Sequence, residues 1–109
     1  MEEEIYDLSE LKIEGFMWDI GNREKNTFKH KVSNQESEEI FFNEPLCIFR
    51  DTKHSQKEER LVAYGLTDKK RLLTVVFTIR KKLIRIISIR DQHIKERRFY
   101  EKNKTDSKI

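Results

Sequence analysis

The chain has 109 residues, of which 39% are charged and 36% hydrophobic, and its formal net charge is +3 at pH 7. This length supports one domain with a single modest core and excludes a second independent core. Its one cysteine excludes a disulfide framework and a cysteine zinc site within the chain. No apolar run has the length needed to span a bilayer, and the N-terminal Met-Glu-Glu-Glu has no signal-peptide character.

We therefore expect a small cytoplasmic protein without membrane contact. Residues 1–12 are predicted to form an N-terminal extension, residues 13–102 a single domain and residues 103–109 a polar tail. Lysine and arginine heavily outnumber aspartate and glutamate from residue 69 to 104, whereas residues 1–14 and 35–44 are acidic. This asymmetry predicts one positive surface, which would attract a phosphate backbone or an acidic partner and lose that attraction as salt rises.

The first part of the domain predicts a strand followed by a helix. Residues 13–18 have the composition of a short strand. Asp19 then caps a helix that runs to about Lys31, with a basic exposed side.

A second helix is indicated by Ser33, which is followed three residues later by Glu36. This spacing is a capping box. The helix should carry Ile40 and Phe41 on its apolar stripe, and Pro45 should end it.

The rest of the domain is strand-like and predicts an antiparallel sheet. The predicted strands are residues 46–50, 60–65, 72–80 and 83–90. Strict alternation in the third of these gives the sheet one fully apolar face, which the helices should cover in an α+β domain. Two short turns, residues 67–70 and 81–82, lack the glycine that a primed hairpin turn prefers, and the polar loop 51–59 is a candidate functional loop.

The last predicted strand passes into a cationic helix. Polar positions Arg85, Ser88 and Arg90 interrupt the β-branched residues of the strand, and Asp91 is the predicted N-cap of the helix. This composition is typical of an RNA-binding or RNA-cleaving surface, although composition alone does not establish one.

A set of residues over most of the chain recurs in the order of a known family. These residues are Phe16, Met17, Trp18, Asp19, Asn26, Lys29, His30, Glu44, Pro45, Asp51, His54, Ser55, Glu58, Glu59, Arg60, Gly65, Thr78, Arg80, Arg85, Ile86, Ile87, Ser88, Arg90, Glu96, Arg97, Tyr100 and Glu101. Through them the chain resembles the BrnT toxins, the ribonuclease partners in bacterial BrnT/BrnA type II toxin–antitoxin pairs. The resemblance spans roughly residues 13–102.

The resemblance implies a RelE-like fold, with a curved antiparallel sheet of about four strands, two N-terminal helices and one C-terminal helix. It also implies neutralisation by a BrnA-like antitoxin and contact with operator DNA only through the antitoxin complex. The chain departs from the family pattern at Asn22, where the family has a lysine.

RNA cleavage without a metal needs a base for the 2′-hydroxyl, cations for the charged phosphorane and an acid for the 5′-oxygen. Glu59 or His54 is the candidate base, and His30 or Tyr100 the candidate acid. The candidate phosphate ligands are Arg60, Arg80 and Arg90. Further RNA contacts are expected from Lys29, Arg60, Arg85, Lys95 and Arg97.

Each of these residues also has a structural interpretation. His30 could contact a helix terminus, His54 could be solvated in its loop, Glu58 and Glu59 could form surface ion pairs, and Tyr100 could be a core-edge aromatic. The histidines share no metal-ligand spacing, so we expect neither a metal nor another cofactor.

Two other functions remain open. Asn22 in place of the family lysine leaves the hypothesis of a toxin-fold module that binds its antitoxin or nucleic acid without cleavage. Direct DNA binding by the basic C-terminal helix is a weaker hypothesis, because the sequence lacks helix-turn-helix spacing.

Overall fold

The computed structural model describes residues 12–18, 31–51, 53 and 58–106. Within this part of the chain the elements, in order, are β1 (Gly15–Met17), α1 (Asn34–Glu39), β2 (Cys47–Arg50), β3 (Leu61–Leu66), β4 (Leu72–Arg80), β5 (Leu83–Asp91) and α2 (Ile94–Asp106). The helix predicted from Asp19 lies outside the described residues. The fold is α+β, as expected, whereas the likeness to RelE and the division into extension, domain and tail stay predictions.

The sheet has five strands rather than about four, and it is mixed rather than antiparallel. Its order is β1-β5-β4-β3-β2. The strands β2 to β5 pair antiparallel, but β1 pairs parallel to β5, with Gly15 opposite Leu83 and Met17 opposite Arg85. Parallel neighbours need a long connection, and the chain between β1 and β5 provides one.

One face of the sheet carries the main core, as the alternation in β4 predicts. Leu73, Val75 and Phe77 of β4 are fully buried, together with Ile86 and Ile89 of β5. We call this side the core face. Residues from the segment around α1 cover it, because Val32, Ile40 and Phe41 belong to the same buried cluster and Phe16 and Trp18 pack against it.

A β-bulge resets the alternation in β5. Val76 lies opposite Ser88, but the next residue, Phe77, lies opposite Ile86. Ile87 is therefore the extra residue, and Ile86 and Ile89 both point to the core face although they are three residues apart.

The capping box of α1 is confirmed, but the predicted end of this helix is wrong. The Glu36 N–H donates to Ser33 Oγ (3.1 Å), and the Ser33 N–H donates to Glu36 Oε1 (3.0 Å). The helix ends at Glu39, before Pro45, so Ile40 and Phe41 reach the core just beyond the helix rather than on its stripe. Ile40 packs closely against Gly65, where an added Cβ would lie 2.9 Å from Ile40 Cβ.

The predicted N-cap of α2 is also wrong. Asp91 is the last residue of β5, and its carboxylate accepts two hydrogen bonds from Arg71, at 2.7 and 3.1 Å. The helix begins at Ile94, and the side chain of Glu96 accepts from the His93 N–H at 2.8 Å. Asp91 is unavailable as a cap because a residue twenty positions away holds its carboxylate.

Candidate functional site

The sheet face opposite the core carries most of the polar side chains of β4 and β5. We call it the polar face, and it comprises Val62, Tyr64, Thr74, Val76, Thr78, Arg80, Arg85, Ser88 and Arg90. The strand register arranges these residues in rows: Tyr64, Thr74 and Arg90 form one row, and Thr78 and Arg85 another. Thr74 and Thr78 are four positions apart in β4, so the rows of Arg90 and Arg85 are about 13 Å apart along the strands.

Arg90 forms a closed network with Glu96 at one end of the polar face. Its Nη1 and Nη2 donate to the two carboxylate oxygens of Glu96, each at 2.8 Å. Glu96 Oε1 also accepts from the Thr74 hydroxyl and the His93 N–H, both at 2.8 Å. This network joins β4, β5 and the first turn of α2.

The surroundings of Glu96 keep it ionised. Burial raises the pKa of its carboxyl, but hydrogen bonds from Arg90, the His93 N–H and Thr74 outweigh burial and lower the pKa to about 2. A carboxyl group with so low a pKa is a poor proton acceptor at neutral pH. The Arg90–Glu96 pair is therefore better suited to holding α2 and Arg90 in position than to transferring a proton.

A second ion pair lies at the other end of the polar face. Arg80 donates to both carboxylate oxygens of Glu58, from Nε at 2.7 Å and from Nη2 at 3.0 Å. The hydrogen bond from Arg80 is the main cause that lowers the pKa of Glu58, and the charge of Arg85 contributes. The Thr78 hydroxyl donates to the main-chain oxygen of Glu59 at 2.8 Å and so holds this part of the loop against β4.

The candidate base Glu59 lies beside a different arginine. Its carboxylate is 3.3 Å from Arg50 Nε, and both side chains are about half exposed. Arg50 ends β2, at the sheet edge. Of the two adjacent glutamates, Glu58 therefore faces Arg80, whereas Glu59 faces the edge strand.

The candidate acid Tyr100 is a core residue in this structure. Its side chain is fully buried in a second cluster with Cys47 and Leu66. The hydroxyl donates to the main-chain oxygen of Pro45 at 2.6 Å, and burial raises its pKa. The hydroxyl is thus enclosed by protein and bonded to the main chain.

The remaining candidates divide into two groups. His30, His54 and Lys29 lie outside the described residues. Lys95 and Arg97 are exposed on α2. Arg60 directly precedes β3, and its main-chain oxygen accepts a hydrogen bond from the Asp51 N–H at 2.8 Å.

An aromatic cluster holds α2 on the polar face. The rings of Phe49, Tyr64 and Phe99 meet edge to face, with centroids 4.9 to 5.8 Å apart. Burial and the nearby Glu96 charge raise the pKa of Tyr64 to about 12, against the opposing effect of Arg90. The cluster fixes the helix that carries Glu96, so it contributes indirectly to the position of Arg90.

Thr78 and Glu96 were not predicted as members of these networks, and Glu58 was predicted only as part of a surface ion pair. The signals were partly present. Thr78 has the same strand parity as Arg80, and Glu96 follows His93 at the spacing of a capping residue. The choice between Glu58 and Glu59 depends on how the loop enters β3, which the sequence pattern does not reveal.

Among the described residues, no three His, Cys, Asp or Glu side chains group in a way that could hold a metal ion. The helices in this part of the chain are too short or too polar to cross a membrane.

The fold and the polar face define a small α+β domain in which arginines are held by carboxylates on the sheet surface opposite the core. The family model described as "Ribonuclease toxin, BrnT, of type II toxin-antitoxin system" matches residues 18–96, well over half of the chain. The chain therefore belongs to the BrnT family of ribonuclease toxins. None of the curated proteins compared with the chain matches it.

Proposed function

We propose that this chain is the toxin of a type II toxin–antitoxin system and a metal-independent endoribonuclease that cleaves RNA by general acid–base chemistry. Family membership supports the class of activity. The observation that carries the site is the placement of Arg80, Arg85 and Arg90 on one sheet face, with the Glu58–Glu59 pair at the Arg80 end. The protein would act in the cytoplasm.

The arginines of the polar face have different roles in this proposal. Arg90 is held through both terminal nitrogens by Glu96, so it contributes a fixed positive charge at one end. Arg80 and Arg85 lie beside Glu58, and a phosphate arriving there can compete with that exposed carboxylate for the guanidinium groups. We therefore place the scissile phosphate at the Arg80 end, with Arg60 as a further candidate ligand.

The candidate bases are Glu59 and His54. Glu58 is unsuited to accept a proton, because its hydrogen bonds with Arg80 lower its pKa. Glu59 follows it directly in the chain, with its main-chain oxygen fixed by Thr78. His30 stays the candidate acid, whereas the buried hydroxyl of Tyr100 removes that residue from the proposed site. Lys29, Lys95 and Arg97 stay proposed RNA contacts outside the cleavage centre.

We also propose that a BrnA-like antitoxin neutralises the chain by covering the polar face, and that operator DNA is contacted only through that complex. Such a surface suits an acidic or amphipathic partner segment. Covering it would block the substrate and the arginines together.

The proposal is tested by cleavage of a labelled single-stranded RNA by the purified, antitoxin-free chain. We expect Glu59→Gln and Arg80→Ala to lower the cleavage rate at least about a hundredfold, in the range of general-base and electrostatic effects. Arg98→Ala is the matched control, because Arg98 is an exposed arginine on α2 outside the proposed site. Unchanged rates in both site variants would remove this site.

The alternative is a toxin-fold module that binds antitoxin or nucleic acid without cleaving. Asn22 in place of the family lysine favours it, as does the engagement of both Arg80 and Arg90 by carboxylates. An inactive wild-type chain that stays inactive as Asn22→Lys, yet binds antitoxin, would support this alternative.

A further inference from the structure

All the non-glycine residues that adopt positive φ in the described part of the chain are lysines. They are Lys12 (51°), Lys31 (56°), Lys70 (71°), Lys81 (52°) and Lys82 (66°), and no described glycine has a positive φ. The left-handed region is unfavourable for a residue with a Cβ, and turns usually place glycine or asparagine there. Turn chemistry alone therefore does not explain these lysines.

Two of these lysines form the turn between β4 and β5. Lys81 and Lys82 are the two linking residues, and consecutive positive φ angles are the pattern of a type I′ turn, for which Asn-Gly is the preferred pair. The Glu14 N–H donates to the main-chain oxygen of Lys82 at 2.8 Å, which brings the segment after Lys12 against the turn. Lys12, Lys81 and Lys82 are all exposed, and we call them the lysine tip.

The lysine tip extends the positive charge of the polar face. Lys81 directly follows Arg80, and Lys82 precedes the strand that carries Arg85. The three ammonium groups of the tip form no ion pair with any residue that the structure describes. A polyanion lying over Arg80 and Arg85 would therefore meet further cations where it leaves the sheet.

We propose that the lysine tip binds the phosphate backbone of RNA beyond the cleavage centre, an inference that rests on RNA being the substrate under the proposed function. A lysine ammonium contacts phosphate as a point charge and carries no base information, so the tip would anchor RNA without selecting its sequence. This role explains why the turn keeps two lysines in an unfavourable conformation. Asn-Gly would relieve the backbone strain but would remove the charge.

The test is the double variant Lys81→Asn/Lys82→Gly, in which stability and RNA affinity should move in opposite directions. We expect its Tm to rise by about 5 °C or more, because the strain is relieved. Its affinity for a 2′-O-methyl single-stranded RNA should fall roughly ten- to thirtyfold at 0.1 M salt, and the slope of log Kd against log salt should shrink by about 1.4. A loss of affinity in a more stable protein cannot be attributed to misfolding.

Two further variants are matched controls. Lys70 also has a positive φ, but it lies in the turn before β4, about 30 Å along that strand from Lys81. Lys70→Gly should raise the Tm while leaving the affinity and the salt slope unchanged. Lys81→Arg/Lys82→Arg keeps the charge and should bind the RNA with wild-type affinity.

Unchanged affinity and salt slope in the Asn-Gly variant would overturn the inference, as would an equal loss of affinity in Lys70→Gly. If the Asn-Gly variant binds RNA normally but binds the antitoxin more weakly, the lysine tip would be assigned to an acidic protein partner instead. A wild-type chain that does not bind the RNA would also refute the inference. The 2′-O-methyl RNA cannot be cleaved through its 2′-oxygen. A further outcome is a chain that shows no cleavage of ordinary RNA and still loses RNA affinity when the lysine tip is changed. That result would contradict the proposed ribonuclease activity but support RNA binding by the lysine tip.

Discussion

Arg90 and Glu96 face each other through two parallel hydrogen bonds of 2.8 Å, six residues apart and across the junction of β5 with α2. The Arg90 side chain is 30% exposed and that of Glu96 is 16% exposed, so the pair is largely shielded from water. Because Glu96 also accepts from Thr74 and the His93 N–H, one carboxylate fixes a strand, a helix start and an arginine.

We expect Glu96→Gln to lower the free energy of unfolding by about 2 kcal/mol, because Arg90 then keeps its charge without the opposing carboxylate. Urea denaturation measures this change. Glu59→Gln is the control, since the half-exposed pair of Glu59 with Arg50 should contribute under about 1 kcal/mol. Equal urea midpoints for Glu96→Gln and the wild type would show that the pair does not stabilise the fold.

The same carboxylate predicts an acid-dependent loss of stability. The pKa of Glu96 is about 2 in the folded chain, against an ordinary value of 4.5. Its contribution is therefore fully present above about pH 4.5 and is lost as the pH falls towards 2. Glu36 and Glu58 act in the same direction, because hydrogen bonds lower both pKa values.

Urea denaturation at a series of pH values tests this expectation. Glu96→Gln should show a shallower decline in stability between pH 4.5 and 2 than the wild type. Parallel declines in the two proteins would assign the acid sensitivity to other groups.

Sequence patterns predicted those parts of the fold that depend on near neighbours. The alternation of β4 identified its core residues because side chains of a strand point to opposite faces, and Ser33 with Glu36 identified the start of α1. Asp91 failed as a cap because its partner, Arg71, is distant in the chain. The same Arg71 also contacts Glu36, at 3.3 Å.

The candidate site was predicted in outline only. The polar positions Arg85, Ser88 and Arg90 of β5 were recognised, but strict alternation would place Arg85 on the opposite face from Ser88 and Arg90. The β-bulge in β5 brings all three to the polar face. Which carboxylate holds which arginine was not predictable, because that depends on the entry of the loop at Glu58 and on the docking of α2. Glu96 reaches Arg90 only because α2 docks on the polar face.

Tyr100→Phe distinguishes a core residue from an acid catalyst. We expect it to lower the free energy of unfolding by about 1 to 2 kcal/mol, since the Pro45 oxygen loses a buried hydrogen bond of 2.6 Å. The RNA cleavage rate per folded molecule should stay at the wild-type level. A large loss of cleavage with unchanged stability would return Tyr100 to the list of candidate acids.

Gly65→Ala tests the close packing between β3 and the segment after α1. The new methyl group would lie 2.9 Å from Ile40 Cβ, so either the Ile40 side chain or β3 must shift. We expect the free energy of unfolding, measured by thermal denaturation, to fall by about 1 to 3 kcal/mol. Gly15→Ala is the control, because its nearest neighbour, Leu83 Cδ2, would be at an ordinary 3.5 Å. Equal stability of the two variants would contradict the packing described here.

The central claim is that the polar face cleaves RNA without a metal, and the most direct test is the chemistry of the product ends. The antitoxin-free chain is incubated with a labelled single-stranded RNA, with and without EDTA. We expect cleavage that resists EDTA and leaves 2′,3′-cyclic phosphate or 3′-phosphate ends, because attack by the 2′-hydroxyl retains the phosphate on that side. Cleavage that EDTA abolishes, or products with 3′-hydroxyl ends, would contradict the account.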